Sequence, residues 1–437
     1  MGFKCFFLAS LMTLGCIVAQ GALAQDTSSI SSQLGWDELY ASRLDASASY
    51  KEAVIDVKSA ILSLEQYTKP YIPTISLSTS ATSPIKIDST GFTGGSLVSS
   101  LGFEQVLGTD IALNVPIKMA SNGSLNLDDP NVSISRKLFT EGKADRLDAE
   151  AALLNAKALL KTVEDSVEIT LANEILNEKY YNSLLEASRK NLEVLEKVKK
   201  ATTDTTTLRE LERRILEAQK SILTATKALE KIPAEVKENL GFLLTNLMSL
   251  QGEWVKGIES SVPETSLSIE ALVLSLQAAE KRQAFGLLSY LPNPSITAEI
   301  SYDTSARSLD WALSFSLSYD VADKGKRSLE ALKRKEYPEI YRAKLAEAKK
   351  SLSEGVRTIQ SSIESLELDL KIQRLDIEDA QDELTIMQAL YEGGFTSEEN
   401  LVIVQIDLSV ERLEAEKIEY DILMQKLNLA KYFEIGG

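Results

Sequence analysis

The sequence contains no histidine. That removes both the commonest general base at neutral pH and the commonest transition-metal ligand, so histidine-dependent triads and zinc centres are excluded. Cysteine is almost as scarce: Cys5 and Cys16 are the only two, and both lie in an N-terminal segment with the marks of an export signal. Once that segment is removed, neither a disulfide nor a thiol nucleophile remains. No stretch beyond it approaches the roughly 20 apolar residues of a transmembrane helix. No Gly-rich phosphate loop follows a strand, since Gly91 to Gly95 is a turn cluster, and no cofactor is expected. Positive charge is also short. With 47 Lys and Arg against 64 Asp and Glu, the net charge of −17 argues against nucleic acid as a partner. Paired carboxylates are the remaining acid–base option, and with acids spread along helices chance pairing accounts for them.

Residues 1–24 read as a secretory signal peptide. Lys4 is followed by an apolar run from Cys5 to Val18 and by Ala22-Leu23-Ala24, a small-x-small cleavage site. A second reading stays open, in which Thr13-Leu14-Gly15-Cys16 is a lipoprotein box and Cys16 carries a lipid anchor.

The rest of the chain repeats one plan: a helix, a tight Tyr-aliphatic-Pro corner, alternating strands, and two long helices that return on each other. The first structural repeat covers 25–250, with strands within 71–138 and a helical hairpin at about 141–241. The second covers 251–437, with strands within 291–321 and a hairpin at about 325–435. The corners Tyr71-Ile72-Pro73 and Tyr290-Leu291-Pro292 stand 219 residues apart, whereas Ser133-Ile134-Ser135 and Ser316-Leu317-Ser318 stand 183 apart. The first repeat therefore carries 36 extra residues between its strands, as an added hairpin or an extended outer loop.

The strands alternate with period two. Trp311, Leu313, Phe315, Leu317, Tyr319 and Val321 fall on one face and Ala312, Ser314, Ser316, Ser318 and Asp320 on the other. Ile296, Ala298, Ile300 and Tyr302 repeat the pattern, as do Ile75, Leu77, Thr79 and Ala81. Small polar residues opposite an apolar face suit a lipid-facing wall around water, with Trp311, Tyr302 and Tyr319 as a membrane-facing aromatic girdle. In the helices, Leu352, Val356, Ile359, Ile363, Leu366, Leu370, Gln373, Ile377, Ala380, Leu384, Met387 and Tyr391 follow alternate spacings of four and three, with Gln373 the one polar member. Leu208, Leu211, Ile215, Ala218, Ile222, Ala225, Leu229 and Ile232 do the same before Pro233 ends the run. Such seams predict coiled-coil packing along rods; residues 339–391 alone would reach roughly 80 Å.

Tyr391-Glu392-Gly393-Gly394-Phe395-Thr396-Ser397, then Asn400-Leu401 and a long helix ending Tyr432-Phe433-Glu434-Ile435-Gly436, resembles the hairpin signature of the TolC-like outer membrane efflux proteins. The resemblance extends through the duplicated order of elements over essentially the whole mature chain. It implies a mainly α subunit with membrane β-strands, three copies of which close a 12-stranded outer-membrane β-barrel continuous with a periplasmic α-helical barrel. It implies an exit duct of a tripartite efflux or type I secretion system, passive and not an enzyme. The partners would be two further copies of the chain, a periplasmic adaptor, an inner-membrane pump and outer-membrane lipid.

Two departures from the family pattern bear on the site. The acidic pair that forms the family's constriction aligns here to Asn400 and Ile403, while Glu398 and Glu399, one turn away, could supply a different carboxylate ring that favours cations; the helix dipole explains a Glu pair at a helix start equally well. In the first hairpin, Ala201-Thr202-Thr203-Asp204-Thr205-Thr206-Thr207 stands where a Tyr-x-x-Gly turn is expected. Adaptor contact is therefore expected at Gly393, Gly394 and Phe395. Asp128-Asp129-Pro130 also sits awkwardly in a membrane strand. Either the strand begins after Pro130 with the extra residues as its outer extension, or residues 96–119, where Ile111, Leu113, Val115 and Ile117 alternate, add strands. The competing reading of the whole chain is a periplasmic or lipoprotein-anchored coiled-coil scaffold that forms no pore.

Overall fold

A computed structural model describes residues 35–79, 86–88, 91–106, 109–120, 124–202, 205–258, 265–284, 293–317 and 324–433. The signal segment 1–24 with Cys16, the corner Tyr290-Leu291-Pro292, Tyr319, Thr203-Asp204 and the closing Glu434-Ile435-Gly436 lie outside the described residues.

Two helices, α1 (Trp36–Ala46) and α2 (Ala48–Thr68), lead into the strands β1 (Thr74–Thr79), β2 (Lys86–Asp88), β3 (Gly91–Val106), β4 (Thr109–Met119), β5 (Leu125–Leu127) and β6 (Asn131–Lys137). Next come α3 (Gly142–Ala201), α4 (Thr205–Glu230), α5 (Ala234–Ile258) and α6 (Leu267–Ala284), then β7 (Ser295–Asp303) and β8 (Ser308–Ser316). The described chain ends with α7 (Lys326–Glu392), α8 (Glu398–Ala430) and a 3-10 turn, Lys431–Phe433. The fold is mainly helical with one antiparallel sheet. At 60 and 67 residues, α3 and α7 would extend about 90 and 100 Å.

Local chemistry sets the boundaries. Ser47 accepts a hydrogen bond from the Tyr50 amide at 3.2 Å and starts α2. Pro233 cannot donate a backbone bond, and it separates α4 from α5. Gly325, at φ +85°, takes the left-handed conformation that turns the chain into α7.

The core runs along α3, where Leu171, Ala172, Ile175 and Leu195 are buried against α2, α4, α5, α6 and α8. Leu243 and Leu247 of α5, Ala271 and Ala278 of α6, and Leu423 and Leu427 of α8 close around it. The predicted seams are the packed ones. In α4, Leu211, Ala218, Ala225 and the following Ile232 are buried. In α7, the positions from Leu352 to Met387 are buried or half-buried while nearly all their neighbours are exposed; Tyr391, at the end of the helix, is exposed. Gln373 fits this seam because its Nε2 donates to Glu411 of α8, to the backbone O at 3.2 Å and to Oε2 at 2.5 Å, leaving it 8% exposed.

The sheet runs β1-β3-β4-β6-β7-β8, with β2 beside β3 and β5 beside β4. Six strands lie along this path, where the resemblance implies four per chain. The β3–β4 hairpin inserts between β1 and β6. β6 begins at Asn131, directly after Pro130, where loss of the proline amide costs no ladder bond. The two awkward carboxylates have partners outside the strand. Asp129 Oδ1 accepts from the Thr304 amide and hydroxyl, each at 2.9 Å, and Lys118 Nζ donates to Asp128 at 2.8 Å.

Candidate functional site: a two-faced wall and an exposed helical tip

The register aligns side chains of one kind into rows across all six strands. Ile75, Leu101, Leu113, Val132, Ile300 and Trp311 are successive cross-strand partners, and so are Ser76, Ser100, Asn114, Asn131, Ser301 and Asp310 one residue further along. Because neighbours along a strand point to opposite sides, the first row belongs to an apolar face and the second to a polar one. In β7 exposure is the reverse of a water-soluble sheet, in β8 both faces are exposed, and in β4 Leu113 is exposed on the apolar face while Ile111, Val115 and Ile117 are half-buried. In β7, Ile296, Ile300 and Tyr302 are exposed while Thr297, Glu299 and Ser301 are half-buried. In β8, Leu309, Trp311, Leu313 and Phe315 are exposed, Trp311 at 78%. A contiguous exposed apolar face marks a surface built for lipid or for another protein.

The polar face is internally bonded. Ser100 Oγ donates to Asn114 Oδ1 at 2.7 Å, Asn114 Nδ2 to Asn131 Oδ1 at 2.8 Å, and Asn131 Nδ2 to Glu299 Oε1 at 2.7 Å. This relay crosses four strands and fixes their register. Sequence reasoning missed it; its signal was the polar residues at even positions of β4 and odd positions of β6. Of the proposed girdle, Tyr302 and Trp311 share the apolar face near the β7–β8 turn.

Where sheet meets helices, Arg282 of α6 donates to Glu141 at 3.2 Å, Asp145 at 2.7 Å and Asp148 at 2.5 Å, and Arg334 of α7 donates to Glu141 at 2.5 Å. Burial works against the Arg282 charge, yet the bonds to Asp145 and Asp148 hold its pKa above the ordinary arginine value. The acids lie just before and in the opening turns of α3, where the helix dipole favours negative charge. This junction was also missed, because no short-range pattern links Arg282 to Glu141.

At the other end of α7, the Gly393 amide donates to Ala389 O at 3.0 Å, the Gly394 amide to Tyr391 O at 2.9 Å and the Phe395 amide to Leu390 O at 2.8 Å. Gly394, at φ +74°, makes the turn. A side chain at Gly393 would sit 2.7 Å from the Phe395 ring. Phe395 is 83% exposed. Ser397 caps α8 and accepts from the Asn400 amide at 3.4 Å. Backbone and Ser397 hydrogen bonds hold the Glu399 carboxyl below its usual range. Glu398, Glu399 and Asn400 are exposed in the first turn, whereas Ile403 is half-buried. A second apolar stripe on α7, Leu368, Ile372, Leu375, Ile386 and Leu390, is exposed, as are Leu216 and Leu223 of α4. Among the described residues no helix is long and apolar enough to cross a membrane.

No protein-family model matches the chain, and no curated protein matches it by sequence. Solved structures do match. The outer membrane protein VceC of Vibrio cholerae superposes with a TM-score of 0.60 at 12% identity, over 92% of this chain and 96% of that one. The CmeC outer membrane channel of Campylobacter jejuni gives 0.55 at 13%, over 94% and 90%. The MtrE outer membrane channel of Neisseria gonorrhoeae gives 0.55 at 15%, over 93% and 92%. The chain has the fold of the TolC-like outer-membrane channel proteins.

Proposed function

We propose that this chain is the subunit of a passive outer-membrane exit duct, closed by three copies and continued into the periplasm by its helices. The observation that carries the reading is the sheet with exposed apolar side chains on one face and a bonded polar network on the other. A wall between lipid and water needs that arrangement. Among the described residues β1 and β8 end the sheet, and such open edges support closure by further copies, since unpaired backbone groups are not tolerated in lipid. The exposed stripes on α7 and α4 offer the matching helical contacts between copies.

In this reading the two halves are structural repeats divided near residue 250, an N-terminal signal exports the chain, and energy comes from an inner-membrane pump joined through a periplasmic adaptor. The tip Gly393, Gly394 and Phe395 meets the adaptor, and Glu398, Glu399, Asn400 and Ile403 surround the periplasmic constriction. No residue is assigned a catalytic step. A coiled-coil scaffold would account for the helices but leaves the exposed face of β7 and β8 without a purpose.

The test is fractionation of the expressing cell followed by mass measurement in detergent. Recovery from the outer membrane as a particle of three chains is the expected result. A monomer in the periplasmic fraction would contradict the duct.

A further inference from the structure

We propose that each copy contributes six strands to the barrel, giving eighteen in the closed trimer, and that the free edge of β8 in one copy pairs with the free edge of β1 in the next. This rests on the duct reading and specifies its wall. The β3–β4 hairpin is spliced into the sheet between β1 and β6, not appended to its rim. Its residues continue both rows: Leu101 and Leu113 lie between Ile75 and Val132, and Ser100 and Asn114 between Ser76 and Asn131. A hairpin standing outside the bilayer has no need to keep two faces in step with four membrane strands.

The edges suit each other. Six antiparallel strands leave β1 and β8 running in opposite senses, so a threefold ring closes with an antiparallel seam. Neither strand contains proline, and Asp310 is the one charged residue in the pair, so neither proline nor a run of charge stands against edge pairing. With strands about 4.8 Å apart and tilted about 40°, eighteen give a backbone diameter of about 36 Å, against about 24 Å for twelve. The mouth of this duct would be half as wide again as a twelve-stranded one, and its hydrated face would carry the Ser100–Asn114–Asn131–Glu299 relay three times.

The test places single cysteines by Leu101→Cys, Leu113→Cys, Ser100→Cys and Asn114→Cys in the full chain, with Leu313→Cys as the lipid-facing reference and the parent chain as labelling background. In proteoliposomes a dye at positions 101, 113 and 313 should be quenched by brominated lipid, while positions 100 and 114 should react with a water-soluble maleimide. Quenching at 313 with water accessibility at 101 and 113 would overturn the eighteen-stranded wall and leave the duct intact. Water accessibility at 313 as well would overturn the duct reading itself. For the seam, Ser76→Cys is combined in turn with cysteine at Ser308, Asp310, Ala312, Ser314 and Ser316. Oxidation should give covalent dimers and trimers for at least one pair; none for any pair would overturn the β8–β1 seam.

Discussion

Arg214 Nη2 donates to both carboxylate oxygens of Asp407, at 2.6 and 2.8 Å, and so joins α4 of the first helical hairpin to α8 of the second. Both side chains keep partial solvent access, so the pair should contribute modestly, about 0.5–1 kcal/mol, and less in high salt. A double-mutant cycle with Arg214→Ala and Asp407→Ala, followed by chemical denaturation, should give a coupling of that size that shrinks as salt rises. Strict additivity would mean that the two hairpins are held by packing alone.

The two faces of β8 should respond oppositely to charge. Leu313→Arg places a guanidinium on the apolar face near the middle of the strand and should cost about 2–4 kcal/mol of folding into lipid. Ser314→Arg, on the opposite face, should fold normally and shift the pore toward anions. Folding yield in lipid vesicles and reversal potentials across a salt gradient read the two effects. Equal tolerance of both substitutions would remove the lipid-facing assignment.

At the tip, Gly394→Ala forces a side chain into the left-handed region at φ +74° and should cost about 1 kcal/mol locally. That corresponds to about five-fold faster amide exchange across 390–397 where local opening limits exchange. Phe395→Glu should leave the mass of the particle unchanged and abolish capture of the adaptor. Unimpaired pump assembly by that variant would place the adaptor contact elsewhere.

Burial pushes the Lys431 amine down to about 8, against the pull of Asp165 and Glu168 and with a small push from Lys161. Its Nζ donates to the Asp165 backbone oxygen. The unfolded chain, with the ordinary lysine value of 10.5, holds the proton more tightly, so between about pH 8 and 10.5 unfolding takes up a proton. Stability should therefore rise with pH across that window and be lost again as pH falls back to about 8, with the partial solvent access of the amine keeping the gain well below the full linkage value. Lys431→Met should flatten the rise, as followed by thermal unfolding at pH 7.5, 9 and 10.5. A rise of unchanged size in the variant would assign it to another group.

The helices were the most legible part of the fold. A seam of spacing four and three predicts which side of α7 packs, and Val356 and Gln373 are buried where it puts them. The reason for a polar residue there was not legible, because Glu411 lies 38 residues away. Alternation showed the faces of β7 and β8 but not the order of pairing, since period two says where a side chain points and nothing about which strand lies alongside. The hairpin was visible in Ile111, Leu113, Val115 and Ile117, yet Val98 and Ser99 blur the period in β3, and the sequence left strand and outer loop equally open. Of the candidate site residues, Gly393 and Gly394 announced a turn through their chemistry. The relay through Asn114 and Asn131 became visible only once register was known.

The measurement that bears most directly on the central claim is single-channel conductance of the purified protein in a planar bilayer, with the particle mass determined in the same detergent. A three-chain particle giving discrete, long-lived, cation-preferring steps is the predicted result. Folded monomers that leave the bilayer silent would contradict the duct and favour the scaffold.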